Sequence, residues 1–177
     1  MLPLLSRIAL GIDAINEWVG KRVSLLCLIL VTMTALDVLL RYAFNFTKIW
    51  IVELEWHMFA LIFLWGAAYT FKHDRHVRVD VFYQKFSPRV KALINLGGIV
   101  CLLMPLCFKL IQSSYRYASI SFRRGESSPE AAGLPFLWLI KFAILIAFVL
   151  LFLQAISEGI KAVQVLLSPK QPTPETS

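Results

Sequence analysis

Trp50-Ile-Val-Glu53-Leu-Glu55-Trp56-His57 opens a run that stays mostly apolar from Met58 to Phe71, then turns basic through Lys72-His73-Asp74-Arg75-His76-Val77-Arg78-Val79-Asp80. A helix needs roughly 20 mostly apolar residues to cross a ~30 Å hydrocarbon core, and this stretch meets that length. Acids among aromatics stand at one end and positive charge at the other. The pattern is that of an oriented membrane span, and it contains no recognisable catalytic motif.

Working outward, three more segments have the same character, so the spans fall at about 23–42, 49–71, 92–111 and 134–156. Of the 177 residues, 58% are apolar and 16% charged, against ~25% charged in ordinary soluble domains. The connectors are too short for a separate soluble domain. The expected fold is an all-α integral membrane protein, with residues 1–168 forming a single four-span domain.

The formal charge of +7 does not point to nucleic acid, because of where the charges fall. With four spans, both termini and the loop between spans two and three share one side. That side holds eleven basic residues: Arg7, Lys21, Arg22, Lys72, Arg75, Arg78, Lys85, Arg89, Lys91, Lys161 and Lys170. The other holds five, Arg41, Lys48, Arg116, Arg123 and Arg124. Cytoplasmic loops are enriched in Lys and Arg, so both termini are expected in the cytoplasm, with anionic lipid as a further contact.

Residues 3–19 read as an N-terminal amphipathic helix lying in the membrane interface. Leu5, Ile8, Ile12, Ile15 and Val19 recur at three- and four-residue steps, with Arg7, Asp13, Asn16 and Glu17 elsewhere. The N-terminus lacks the pattern of a cleaved leader, so the first span is expected to persist in the mature protein. Asn45-Phe46-Thr47 forms a short outer turn. Asp80 is placed to cap a short helix from Val81 to Phe86, and Ser87-Pro88 is a strong helix start, with serine as cap and proline at the first position. Gly97-Gly98 would let another helix approach closely, and Pro105 would kink the third helix. Gly125 ends that helix, and residues 169–177 form a proline-rich polar tail expected to be disordered.

The inferred orientation gathers polar residues near the outer boundary. Asp37 and Arg41 share a helical face and can pair. Glu53, Glu55 and His57 begin span two, Lys109 is near the outer end of span three, and Lys141 is early in span four. At ~1.5 Å per residue all lie within roughly 10 Å of the outer boundary. Such residues face a bundle interior, an aqueous cavity or a partner, which makes all seven candidate interhelical or subunit contacts. An internal ion-pair layer would set Glu53 and His57 against the lysines. Cys27, Cys101 and Cys107 sit in apolar spans without a CxxC pair, as small hydrophobes. Only His57 lies in a span, too few for a bis-histidine haem, and His73 with His76 is a thin basis for a metal site. No metal, cofactor or catalytic residue is expected.

These residues, in this order, resemble the small membrane subunit of the tripartite ATP-independent periplasmic (TRAP) transporters, the DctQ type. The resemblance is densest from Glu53 through Gly66-Ala67-Ala68 to His76-Val77-Arg78-Val79-Asp80, and extends through Ser87-Pro88-Arg89 and Leu134-Pro135. It implies a heteromeric, ion-coupled importer of organic-acid anions, sodium-driven, in the inner membrane of a bacterium or archaeon. Within it, a large multi-span permease subunit moves the solute and a periplasmic solute-binding protein captures it. The small subunit is then a fixed scaffold, with His76, Arg78 and Asp80 fixing the cytoplasmic turn. Arg116, Arg123, Arg124, Glu126 and Glu130 become candidates for docking the solute-binding protein. The tail suggests a chain not fused to its large partner. Two other classes remain open on the residues: a haem- or quinone-associated anchor for a redox enzyme, and an autonomous proton-coupled exporter using Glu53 or Glu55.

Overall fold

Hydrocarbon offers backbone amides no partner, so each span must close its hydrogen bonds within itself. The computed structural model describes residues 2–73 and 86–168, and among them it has four helices long and apolar enough to cross a membrane. They are α1 (Leu2–Phe44), α2 (Ile49–Lys72), α3 (Pro88–Arg123) and α4 (Leu137–Leu167). No strand occurs among the described residues. The His76, Arg78 and Asp80 motif, the expected 81–86 helix except Phe86, and the 169–177 tail lie outside them.

Two helices exceed their expected limits. The segment at 3–19 is helical, but as the first part of the 43-residue α1 rather than as a separate interfacial helix. At ~1.5 Å per residue α1 is about 64 Å long, twice the hydrocarbon thickness. Its packing explains the continuity. Ala9, Ile12, Asn16, Gly20 and Val23 form one buried line, while Leu5, Ile8 and Ile15 of the expected apolar face point outward. The inward line thus mixes the polar Asn16 with the apolar Ala9, Ile12 and Val23. α4 likewise continues well past residue 156, to Leu167.

The turns follow local chemistry. Asn45 adopts a left-handed φ of 50° between α1 and α2, a conformation asparagine tolerates. Ser87 caps α3 by accepting from the Val90 amide, with Pro88 in the first turn. Gly125, at φ 58°, ends α3. Pro105 does not act alone. The residues just before it, Ile99–Leu103, form a π-helical turn in which the Met104 amide donates to the Ile99 carbonyl. Proline lacks an amide and crowds the carbonyl four residues back, and the widened turn accommodates this.

α4 is the central element, packing against α1, α2 and α3, while α3 makes no comparable contact with α1 or α2. Its inner face is built from small residues, with Ala143, Ala147, Ala155 and Ala162 all buried, so that neighbouring backbones approach closely. Trp65 of α2 reaches across to donate to the Ala143 carbonyl at 2.9 Å. The close α1–α2 approach is at Gly20, where a β-carbon would collide with the Tyr69 ring. Gly97 and Gly98 play no such part within this chain, since a β-carbon at either would meet nothing within 4 Å.

Candidate functional site: two polar layers in the bundle

The outer layer is organised by the α3–α4 connection. Glu53, in the second turn of α2, is buried at 7% exposure. Its carboxylate accepts from the Leu134 amide at 2.6 Å and from the Ser128 hydroxyl. Ser128 also accepts from the Glu130 amide at 3.1 Å, and Gly133 leaves no room for a side chain beside Ser128 and Glu53. The connection is therefore fastened onto α2. His57 places Nδ1 2.5 Å from the Glu53 carbonyl oxygen, and its ring stands 4.6 Å from that of Trp56.

The expected set of Glu53 and His57 against lysines is not what forms. Lys141 is buried on α4 and pairs with Glu126 at 2.5 Å. Its ammonium also lies 4.1 Å from the Tyr117 ring centroid, a cation–π geometry. Glu53 instead uses neutral donors, which spares it an opposing charge at that depth. The Lys141 hydrogen bond holds the Glu126 carboxyl below its usual value. Glu126 is thus engaged by Lys141 while its side chain stays 39% exposed.

Asp37, 3% exposed, pairs with Arg41 one turn on. Glu55 faces α1 near Thr34, Asp37 and Arg41, and its Oε1 is buried with no hydrogen-bond partner among the described residues. It thus has different neighbours from Glu53. Arg123, Arg124 and Glu130 are exposed around the α3–α4 connection, whereas Arg116 is exposed on the side of α3. Lys109 joins neither acid; it is exposed on α3, with no ion-pair partner among the described residues.

A second layer, near the other end of the bundle, escaped the sequence reading. Gln154 of α4, fully buried, accepts from the Asn16 amide at 2.8 Å and donates to Asp13 and Glu158 at 2.9 Å each. Ser157 donates to Asp13 at 2.7 Å. Lys161 bridges Asp13 and Glu158, both at 2.7 Å. On the α2 side, Glu17 receives Lys72 at 2.7 Å, His73 at 3.0 Å and Lys21 at 3.3 Å. A signal was available: Gln154, Ser157, Glu158 and Lys161 repeat at three- and four-residue steps in the fourth span, as do Asp13, Asn16 and Glu17 in α1. Reading 3–19 as a surface helix hid the match.

Between the layers the interior is apolar, formed by Val23, Ala68, Ala143, Ala147 and Leu150. In the outer layer Asp37, Arg41 and Lys141 are ion-paired, and among the described residues no polar chain connects the layers through that interior. Among the described residues no three His, Cys, Asp or Glu side chains gather as a metal site. The arrangement is suited to fixing helix positions.

Comparison with known proteins gives a family. The model for "Tripartite ATP-independent periplasmic transporters, DctQ component" matches residues 12–165. The C4-dicarboxylate TRAP transporter small permease protein DctQ of Vibrio cholerae serotype O1 is 30% identical over 98 residues, which is 55% of this chain and 41% of that protein. The chain thus spans about two-fifths of the length of that relative. No solved structure matches.

Proposed function

This chain belongs to the DctQ family of TRAP transporters, and we propose that it is the fixed scaffold of its transporter, bracing a large permease subunit that carries the solute. The observation behind this reading is the apolar interior between two closed polar layers. An alternating-access carrier places its site at broken helices near mid-membrane. Here the mid-membrane interior is small and apolar, which favours bracing over an autonomous exporter.

The cargo in this proposal is an organic-acid anion of the four-carbon dicarboxylate class, a choice that the printed name of the similar V. cholerae protein supports. Coupling is to sodium, both termini face the cytoplasm, and the membrane is the inner membrane of a bacterium or archaeon. A periplasmic solute-binding protein docks at the α3–α4 connection through Arg123, Arg124, Glu126 and Glu130, with Glu126 held in place by Lys141.

The test is co-purification of the tagged chain from its native membrane, with mass spectrometry of what accompanies it. Recovery of a large multi-span permease, and sodium-dependent dicarboxylate uptake by the reconstituted pair with a solute-binding protein, is the expected result. Recovery of the chain alone, or with a redox enzyme, would overturn the proposal.

A further inference from the structure

Beyond the two layers, a further set of polar side chains among the described residues lies on a single face. Lys109, Gln112, Ser113 and Arg116 are all exposed. Their spacing of three, four and seven residues puts them on one side of α3. The side packed on α4 carries Cys107, Ser114, Ala118 and Ser121, about 160° away at 3.6 residues per turn. None of the four has a hydrogen-bond or ion-pair partner among the described residues.

The depth of this stripe follows from the antiparallel register of α3 and α4. Tyr117 stands at Lys141, Phe122 rings with Trp138 at 5.1 Å, and Leu96 and Ile99 border Gly159. Lys109 lies eight residues before Tyr117, so it is level with Val149, eight residues after Lys141. By the same register Gln112 is level with Ile146, and Arg116 with Phe142. The stripe therefore runs beside Phe142–Leu153, an unbroken apolar run of α4 whose Ile146 and Val149 face outward. On α2, whose Trp65 meets Ala143, Phe63 faces outward as well. At one depth, then, α2 and α4 show apolar side chains while α3 shows a lysine, an arginine, an amide and a hydroxyl. Leu106 and Tyr117 flank the stripe on one side and Phe108 and Tyr115 on the other, all exposed.

A polar face at a depth where the neighbouring helices are dressed for lipid does not face lipid. We propose that this face of α3, centred on Lys109, Gln112, Ser113 and Arg116, is where the scaffold grips the large permease subunit. The occupant is a transmembrane helix of that subunit presenting carboxylate and carbonyl acceptors. Lys109 and Arg116 are two turns apart, so the acceptors they meet are about 10 Å apart along the partner's axis. Because α3 packs chiefly on α4 among the described residues, its opposite face is open to such a helix. This inference rests on the scaffold reading above.

A photo-reactive amino acid placed at Gln112 or Ser113, with Ile146 and Phe63 as comparison sites, tests it in native membranes containing the whole transporter. Adducts between Gln112 or Ser113 and the large subunit are expected, with lipid the main target at Ile146 and Phe63. Permease adducts from Ile146 or Phe63 alone, or adducts from Gln112 to lipid or to the solute-binding protein, would overturn the assignment while leaving the scaffold reading standing. Absence of any permease beside the unmodified chain would overturn both. The double substitution Lys109→Leu, Arg116→Leu removes no contact within the described chain and makes the face lipid-like. It is expected to lower permease co-recovery tenfold or more with normal membrane levels of the scaffold; unchanged co-recovery would count against the proposal.

Discussion

Replacing Gln154 by leucine probes the inner layer at its hub. The side chain is fully buried and links α4 to α1 through Asn16 and Asp13, at 2.8 and 2.9 Å. Interhelical hydrogen bonds in membrane proteins average about 0.6 kcal/mol, with a maximum near 1.7, so losing these two costs about 1–3 kcal/mol. Asn16 is 1% exposed and its Oδ1 already lacks a partner. The substitution strands its Nδ2 as well, and a buried polar group left unpaired adds about 1–3 kcal/mol. The expected loss is therefore about 2–6 kcal/mol, roughly thirtyfold or more in the unfolding equilibrium at ~1.4 kcal/mol per tenfold. Leucine keeps comparable bulk and helix preference, so neither a cavity nor a broken helix supplies the effect. The assay is reversible unfolding in mixed micelles as denaturing detergent is added. Adding Asn16→Leu to the same chain makes both partners apolar and should restore most of the loss, since paired removal is nearly neutral. The reasoning is refuted if Gln154→Leu falls within about 0.5 kcal/mol of the parent, the range of featureless surface sites, or if the double variant is worse than the sum of the singles.

Gly20→Leu is expected to cost about 1–3 kcal/mol, as overpacking does, because the Tyr69 ring occupies that space; thermal melting in detergent reads it, and Tyr69→Ala in the same chain should restore part of the loss. An unchanged melting temperature for Gly20→Leu would show that α1 and α2 are not so close. The Lys141–Glu126 pair makes outer-layer stability pH-dependent. The Glu126 carboxyl is held below its usual 4.5, so its contribution is complete above pH 4.5 and fades as pH falls through the lowered value. Glu126→Gln should remove that part of the acid sensitivity, seen as a flatter melting-temperature profile than the parent's below pH 4.5. Parallel profiles would count against the pair.

Much of the candidate site was legible in residue types, and less of it in residue pairs. Glu53, His57 and Lys141 announced themselves because polar groups in an apolar run must find partners. His57 found its partner four residues earlier, but Glu53 and Lys141 found theirs farther along the chain. Glu53 is held by Ser128 and the Leu134 amide, and a backbone amide leaves no mark in a sequence. Lys141 chose Glu126, fifteen residues earlier, once the connection folded back over the bundle. Lys109 looked like another member of the same layer, and only the α3–α4 register separates it from the rest.

What the sequence determined by itself is the number of spans, their approximate limits and the turns between them. These depend on local quantities: the apolar length needed to cross hydrocarbon, the left-handed preference of Asn45 and Gly125, the cap at Ser87. The tertiary structure decided which side of each helix is inside. In water the apolar side is buried, and residues 3–19 read that way lie on an interface. In lipid the apolar side costs nothing to expose, so interhelical contact is won by small residues and by polar groups that satisfy one another. That is why α1 turns Asn16 and Asp13 toward α4 while Leu5, Ile8 and Ile15 face outward, and why the polar face on α3 was visible only after the helices were packed.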